Sequence, residues 1–79
     1  MNNEYLLSDL KIGQSCLIES IAPSNILSKR LNELGFSKNS RLMCVGISPL
    51  GDLRAYLLHG AVIALRIGDC ADIKIRRLE

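Results

Sequence analysis

Turn residues punctuate this sequence at short intervals, and that spacing limits what it can fold into. Gly13, Pro23, Gly35, the run Pro49-Leu50-Gly51-Asp52 and the pair His59-Gly60 cut the chain into apolar segments of strand length, with room for one short helix. Gly and Pro end regular elements because one reaches positive φ freely and the other lacks an amide proton. The pattern is that of a small β-rich domain. With 79 residues there is material for one core, so residues 1–79 read as a single domain.

Leu6 to Gly13 is an approach segment that closes in a turn, and Ser15–Ile21 is a first strand with Cys16 and Ile18 on one face. After Pro23, Ser24 is placed to cap a helix; Leu27, Leu31 and Leu34 then recur at helical spacing, and Gly35 stands where a left-handed C-terminal cap belongs. Arg41–Ser48 is the second strand, with Gly46 marking a bulge or bend. Pro49-Leu50-Gly51-Asp52 reads as a type II corner, Pro presetting one φ and Gly accepting the positive one. Leu53–Leu58 and Ala61–Arg66 flank a two-residue hairpin loop at His59-Gly60. An irregular turn at Ile67–Ala71 precedes a fifth strand, Asp72–Arg76, whose alternation turns Ile73 and Ile75 inward.

Short strands in a flat sheet leave bare edges, so strong bending is the economical closure. The expected fold is mainly β: a small SH3-like barrel of about five strands with one short α-helix inserted after the first strand. Its core is expected from Cys16, Ile18, Leu31, Leu34, Leu42, Cys44, Leu57, Ile63, Leu65, Ile73 and Ile75. That core is aliphatic, because Tyr5, Phe36 and Tyr56 are the whole aromatic complement.

Ten Lys and Arg against eight Asp and Glu leave a net charge of +2, with the basic residues scattered apart from Lys29-Arg30 and Arg76-Arg77. Nucleic acid is therefore not the expected partner. Cys16, Cys44 and Cys70 are odd in number and far apart, which encodes neither a disulfide framework nor a zinc knuckle and suggests a reducing, cytoplasmic setting. The longest apolar stretch, Ala55 to Leu65, is interrupted by His59-Gly60 and is too short to span a bilayer.

Four segments in order resemble the FeoA family, the small cytoplasmic component of bacterial ferrous iron uptake. They are Leu7-Ser8-Asp9-Leu10 followed by Gly13, Arg30 to Phe36, Ser48-Pro49-Leu50-Gly51-Asp52, and Gly60 leading to Ile63-Ala64-Leu65-Arg66. The resemblance implies an SH3-like barrel and association with the membrane iron permease FeoB, on its cytoplasmic GTP-binding side. A chain of this kind would be peripheral to the membrane through that partner only. The same barrel is also a module of metal-dependent repressors, but no helix-turn-helix segment precedes it here. The sequence departs from the family pattern at Val62, where a polar or basic residue is common, and at Leu53, where Pro is common.

Candidate partner-binding residues follow from what turn chemistry does not require. A hairpin needs Pro49, Gly51 and Asp52, but it does not need Leu50 at its tip, and an apolar side chain on a loop is a contact for another protein. Lys29 and Arg30 lie on the helix face away from the leucines, which fits either a solvated face or contact with an acidic partner. Leu34-Gly35-Phe36 fits a helix cap with its hydrophobic contact, and also a docking corner. No catalytic arrangement is present: there is no Ser-His-Asp order, no phosphate-binding loop and no paired carboxylates on an apolar face. This is a binding module and not an enzyme.

The leading expectation is an accessory protein that binds the permease and supports its assembly or activity, with no cofactor required. The alternative is a metal-responsive regulator that itself binds a transition metal such as Fe(II). It would have to draw on His59, the three cysteines and carboxylates such as Asp52, Asp69 and Asp72, and the sequence designates no ligand set. A receptor for proline-rich peptides needs an aromatic-lined groove that three aromatics do not readily build. Open edges and an outward Val62 allow self-association into a homo-oligomer.

Overall fold

Backbone pairing in a computed structural model, which describes residues 5–22 and 28–78, joins every strand into one antiparallel sheet. The elements are β1 (Tyr5–Leu6), a 3-10 turn (Leu7–Asp9), β2 (Ser15–Ile21), α1 (Ser28–Glu33) and β3 (Arg41–Ile47). β4 (Leu53–Leu58), β5 (Ala61–Arg66), a one-turn helix α2 (Ile67–Cys70) and β6 (Ile73–Arg77) complete them. Strand order across the sheet is β1-β6-β2-β3-β4-β5. The sheet has six strands instead of about five, because Tyr5 and Leu6 pair with Ile75 and Lys74. It remains open, with β1 and β5 as its edges, and α2 occupies the stretch expected to be an irregular turn.

Register kinks bend the sheet at two places, between Ile18 and Ser20 on β2 and between Cys44 and Gly46 on β3. The second is the bulge that Gly46 announced. A bulge adds twist, which lets one sheet wrap around a core. That core contains Cys16, Ile18, Leu31, Leu42, Cys44, Leu65, Ile73 and Ile75 as expected, with Ile63 packed partly against it. Leu7, Leu10, Phe36, Tyr56, Leu58 and Cys70 join them.

Two expectations about the core are corrected. On β4 the inward residues are Arg54, Tyr56 and Leu58, whereas Leu57 faces outward. Alternation alone favours Leu53, Ala55 and Leu57 inside, since that keeps Arg54 in water. The opposite phase wins because the polar groups find partners inside. Arg54 Nε donates to Tyr56 Oη at 2.7 Å, Arg54 Nη2 donates to the Leu10 carbonyl and lies 3.8 Å from Cys44 Sγ, and Tyr56 Oη donates to the Leu7 carbonyl at 3.1 Å. Buried polar groups are tolerated when so paired. Together they latch the 3-10 turn onto the centre of the sheet.

Leu34 is the second correction: it is 41% exposed instead of buried. Phe36 N donates to the Leu31 carbonyl at 2.8 Å and Gly35 N to the Asn32 carbonyl at 3.0 Å, with Gly35 at φ 102°. This bond pair is the Schellman ending, whose hydrophobic contact joins Leu31 to Phe36 and leaves the residue before the glycine outside. The expected cap Ser24 and the leucine Leu27, with Pro23, lie outside the described residues.

Candidate docking surface

A groove of about 500 Å³ runs between α1 and β5. Arg30, Leu31 and Leu34 form its helical wall, and Leu53, Val62 and Arg66 stand on the strand side. Leu31 is buried as part of the core, but Leu34, Leu53 and Val62 are exposed at 41%, 43% and 64%. A shallow apolar trough with guanidinium groups at its rim is the composition of a protein-binding surface. Among the described residues no carboxylate pairs with Arg30.

Next to the groove lies the turn that follows β3. Gly51 N bonds the Ser48 carbonyl at 2.8 Å, so Pro49 and Leu50 are the corner residues and Gly51 takes its φ of 77° one position later. Leu50 is absent from the positive-φ residues, so the corner is not type II as expected. The Ser48 hydroxyl donates to Asp52 Oδ1 at 2.7 Å and accepts from Leu53 N at 3.1 Å. The Ser48 bond is foremost in holding the Asp52 carboxyl below its ordinary range, so it is ionised at neutral pH. This network fixes the turn and leaves Leu50 at its tip 90% exposed.

Of the sequence-derived candidates, Pro49, Leu50, Asp52, Lys29, Arg30 and Leu34 are at the surface. Arg30 and Leu34 meet in the groove, and Asp52 shares a neighbouring hollow with Leu53 and Arg66. Lys29 is exposed but does not line the groove. Phe36 is fully buried and Gly35 serves the helix ending, so neither is offered to a partner as the docking-corner reading required. Sequence reasoning missed Arg66 and the groove side of Leu53. Leu53 and Val62, the two departures from the family pattern, both line the groove.

Potential metal donors do not converge. Among the described residues no three His, Cys, Asp or Glu side chains come together, and all three cysteines are free and buried. Burial, reinforced by the nearby Cys44 thiol, pushes Cys16 up to about 12, and burial likewise raises Cys70. Thiols kept protonated are poor ligands. His59 is the first residue of the hairpin loop at φ 51°, and its ring lies beside Gly35.

The model of the FeoA domain matches residues 5–77. The chain belongs to the FeoA family. That family is associated with ferrous iron transport. The solution structure of the FeoA protein from Chlorobium tepidum is 27% identical at a TM-score of 0.88, covering 95% of this chain and 71% of that one. The zinc-complexed FeoA crystal structure from Stenotrophomonas maltophilia, described as an SH3 domain protein, is also 27% identical, at a TM-score of 0.78 with 90% and 88% covered. A manganese-dependent transcriptional repressor shares the fold alone, at 15% identity and a TM-score of 0.87, with 99% of this chain matching 43% of that one. No curated protein matches. No helix among the described residues of this FeoA-family chain is long and apolar enough to cross a membrane.

Proposed function

We propose that this FeoA-family chain is a cytoplasmic accessory of ferrous iron uptake that docks on the GTP-binding part of a FeoB-type permease. The groove between α1 and β5 carries this reading, because it combines exposed leucine and valine side chains with the Arg30 guanidinium, with which no described carboxylate pairs. Leu50, held out by the Ser48–Asp52 network, supplies a second apolar contact beside it. Binding, not catalysis, is the work of such a surface, and the protein reaches the membrane through its partner only.

Titration of the purified cytoplasmic domain of the permease with this protein tests the reading. Leu34→Asp places a charge in the apolar trough and Arg30→Glu inverts its rim; each should weaken binding by about tenfold or more, the loss of roughly 1.4 kcal/mol or above. Absence of binding by the unaltered protein in every nucleotide state, with normal ferrous uptake in a strain lacking it, overturns the proposal.

Iron enters this reading as the transporter's cargo. The Stenotrophomonas maltophilia relative binds zinc, yet the donors among the described residues of this chain are dispersed, and burial holds the Cys16 and Cys70 thiols protonated. Anaerobic calorimetry with Fe(II) should therefore show no site tighter than roughly millimolar, about −4 kcal/mol. A micromolar heat signal would restore the metal-sensing alternative.

A further inference from the structure

β5 ends the sheet, and among the described residues only β4 bonds to it. Its hairpin loop has both residues at positive φ, His59 at 51° and Gly60 at 81°, the signature of a type I′ turn. In such a hairpin the closing pair, Leu58 and Ala61, exchanges both backbone bonds, and bonding then alternates along the ladder. The Ile67 N bond to the Asp52 carbonyl at 2.9 Å keeps the same parity at the far end. The N–H and C=O groups of Val62 and Ala64 and the N–H of Arg66 therefore point away from β4, and no described residue bonds them. The Arg66 carbonyl, at the N-cap of α2, is taken up by the first bond of that helix.

Proteins usually blunt such an edge with bulges, proline, short length or charge. The other edge strand, β1, has two residues. β5 has six, runs in unbroken register with β4, and has Ala61, Val62 and Ala64 at exposed positions, with charge only at the exposed Arg66. The groove lies along this edge, so a strand added there would have α1 as its wall. The basic and acidic side chains lining it are Arg30 and Arg66 against Asp69, a formal excess of positive charge.

We propose that the free edge of β5 takes an extended segment of the protein partner as an added strand. The segment is about six residues long to match β5. Its alternate side chains are apolar and seat beside Leu34, and an acidic residue meets Arg30. This inference rests on the docking reading above and specifies how docking occurs: main-chain bonds to Val62, Ala64 and the Arg66 N–H supply affinity, and the groove selects the side chains.

The test combines amide hydrogen exchange with titration, using the purified cytoplasmic domain of the permease as probe. Binding should slow exchange at Val62, Ala64 and Arg66 by about tenfold or more, while Ile63 and Leu65, already bonded to β4, change little. Ala64→Pro removes one outward donor and spares the β4–β5 ladder, a position where proline is tolerated; it should weaken binding about tenfold. Retained protection at Ile63 and Leu65 confirms that the variant is folded, and Val62→Pro repeats the experiment one register pair away.

Binding that leaves the three outward amides unprotected and tolerates both proline variants overturns the added strand while leaving the docking reading intact. No binding by the unaltered protein overturns both. Protection of those amides in the isolated protein, rising with its concentration, makes a second copy the occupant and overturns the proposal.

Discussion

Arg54→Ala is expected to lower stability by about 3 kcal/mol, read as a shift of the urea midpoint with an unchanged slope. The substitution leaves the Leu10 carbonyl and Tyr56 Oη without their donor in the interior, and each orphaned buried group costs about 1–3 kcal/mol. Some desolvation cost of the guanidinium is recovered in any such substitution; Arg54→Met leaves the same two groups without a donor but fills the space of the aliphatic stem, so it should cost about 2 kcal/mol, less than alanine. Tyr56→Phe keeps the ring and removes the hydroxyl that joins Arg54 to the Leu7 carbonyl, and should cost about 2 kcal/mol. Because the two side chains share one bond, the double substitution should cost less than the sum. Additive losses, or an alanine cost below about 1 kcal/mol, would show that the latch does not hold the 3-10 turn.

Alkaline pH should unfold the protein through its thiols. Cys16 is fully buried, and its thiol is pushed from an ordinary value of 9.0 up to about 12. An acid whose proton is held more tightly in the folded state contributes its full stabilisation below the unfolded value, and that contribution declines as pH rises toward the folded one. The window is therefore from about pH 9 to about pH 12, and the loss from Cys16 across it is on the order of 4 kcal/mol. Cys70 and Tyr56, both raised first by burial, add in the same direction. Urea unfolding at stepped pH values checks this. Cys16→Ala should lower stability at neutral pH yet flatten the alkaline decline, and equal slopes for the two proteins would refute the role of Cys16.

Much of the strand layout was legible because turn residues mark element ends locally. Gly46 announced its bulge, and His59-Gly60 its hairpin and Gly35 the helix ending through the positive φ that those turns require. The phase of β4 was not legible. Leu53 to Leu58 contains enough apolar residues to satisfy either face, and the choice rests on carbonyls at Leu7 and Leu10 that are more than forty residues away in sequence. Burial of Leu34 was overestimated for a related reason: helical spacing placed it with Leu31, whereas the Schellman ending gave that role to Phe36.

The candidate site divided along the same line. Leu50 could be picked out because nothing in turn chemistry calls for leucine there; Arg30 was expected on the face away from the leucines, whereas the structure sets it beside Leu34, one helical turn on, in the groove. Leu53, Val62 and Arg66 carried no such local mark. They become a surface only when β4 and β5 pair and α1 is set beside them, an arrangement made by tertiary packing.

The position of β6 between β1 and β2 sets the order in which this domain can assemble. Ile73 and Ile75 sit at 0% and 3% exposure, on the last strand in sequence, and that strand bonds to both neighbours. During synthesis the earlier strands emerge first, yet one flank of β2 stays bare and the core lacks two of its isoleucines until β6 has left the ribosome. Closure of the fold is thus a late, long-range event, of the kind that slows folding through loop entropy. Until it happens, the nascent chain leaves β1 without a partner and exposes the β2 edge as well as the β5 edge to whatever surrounds it.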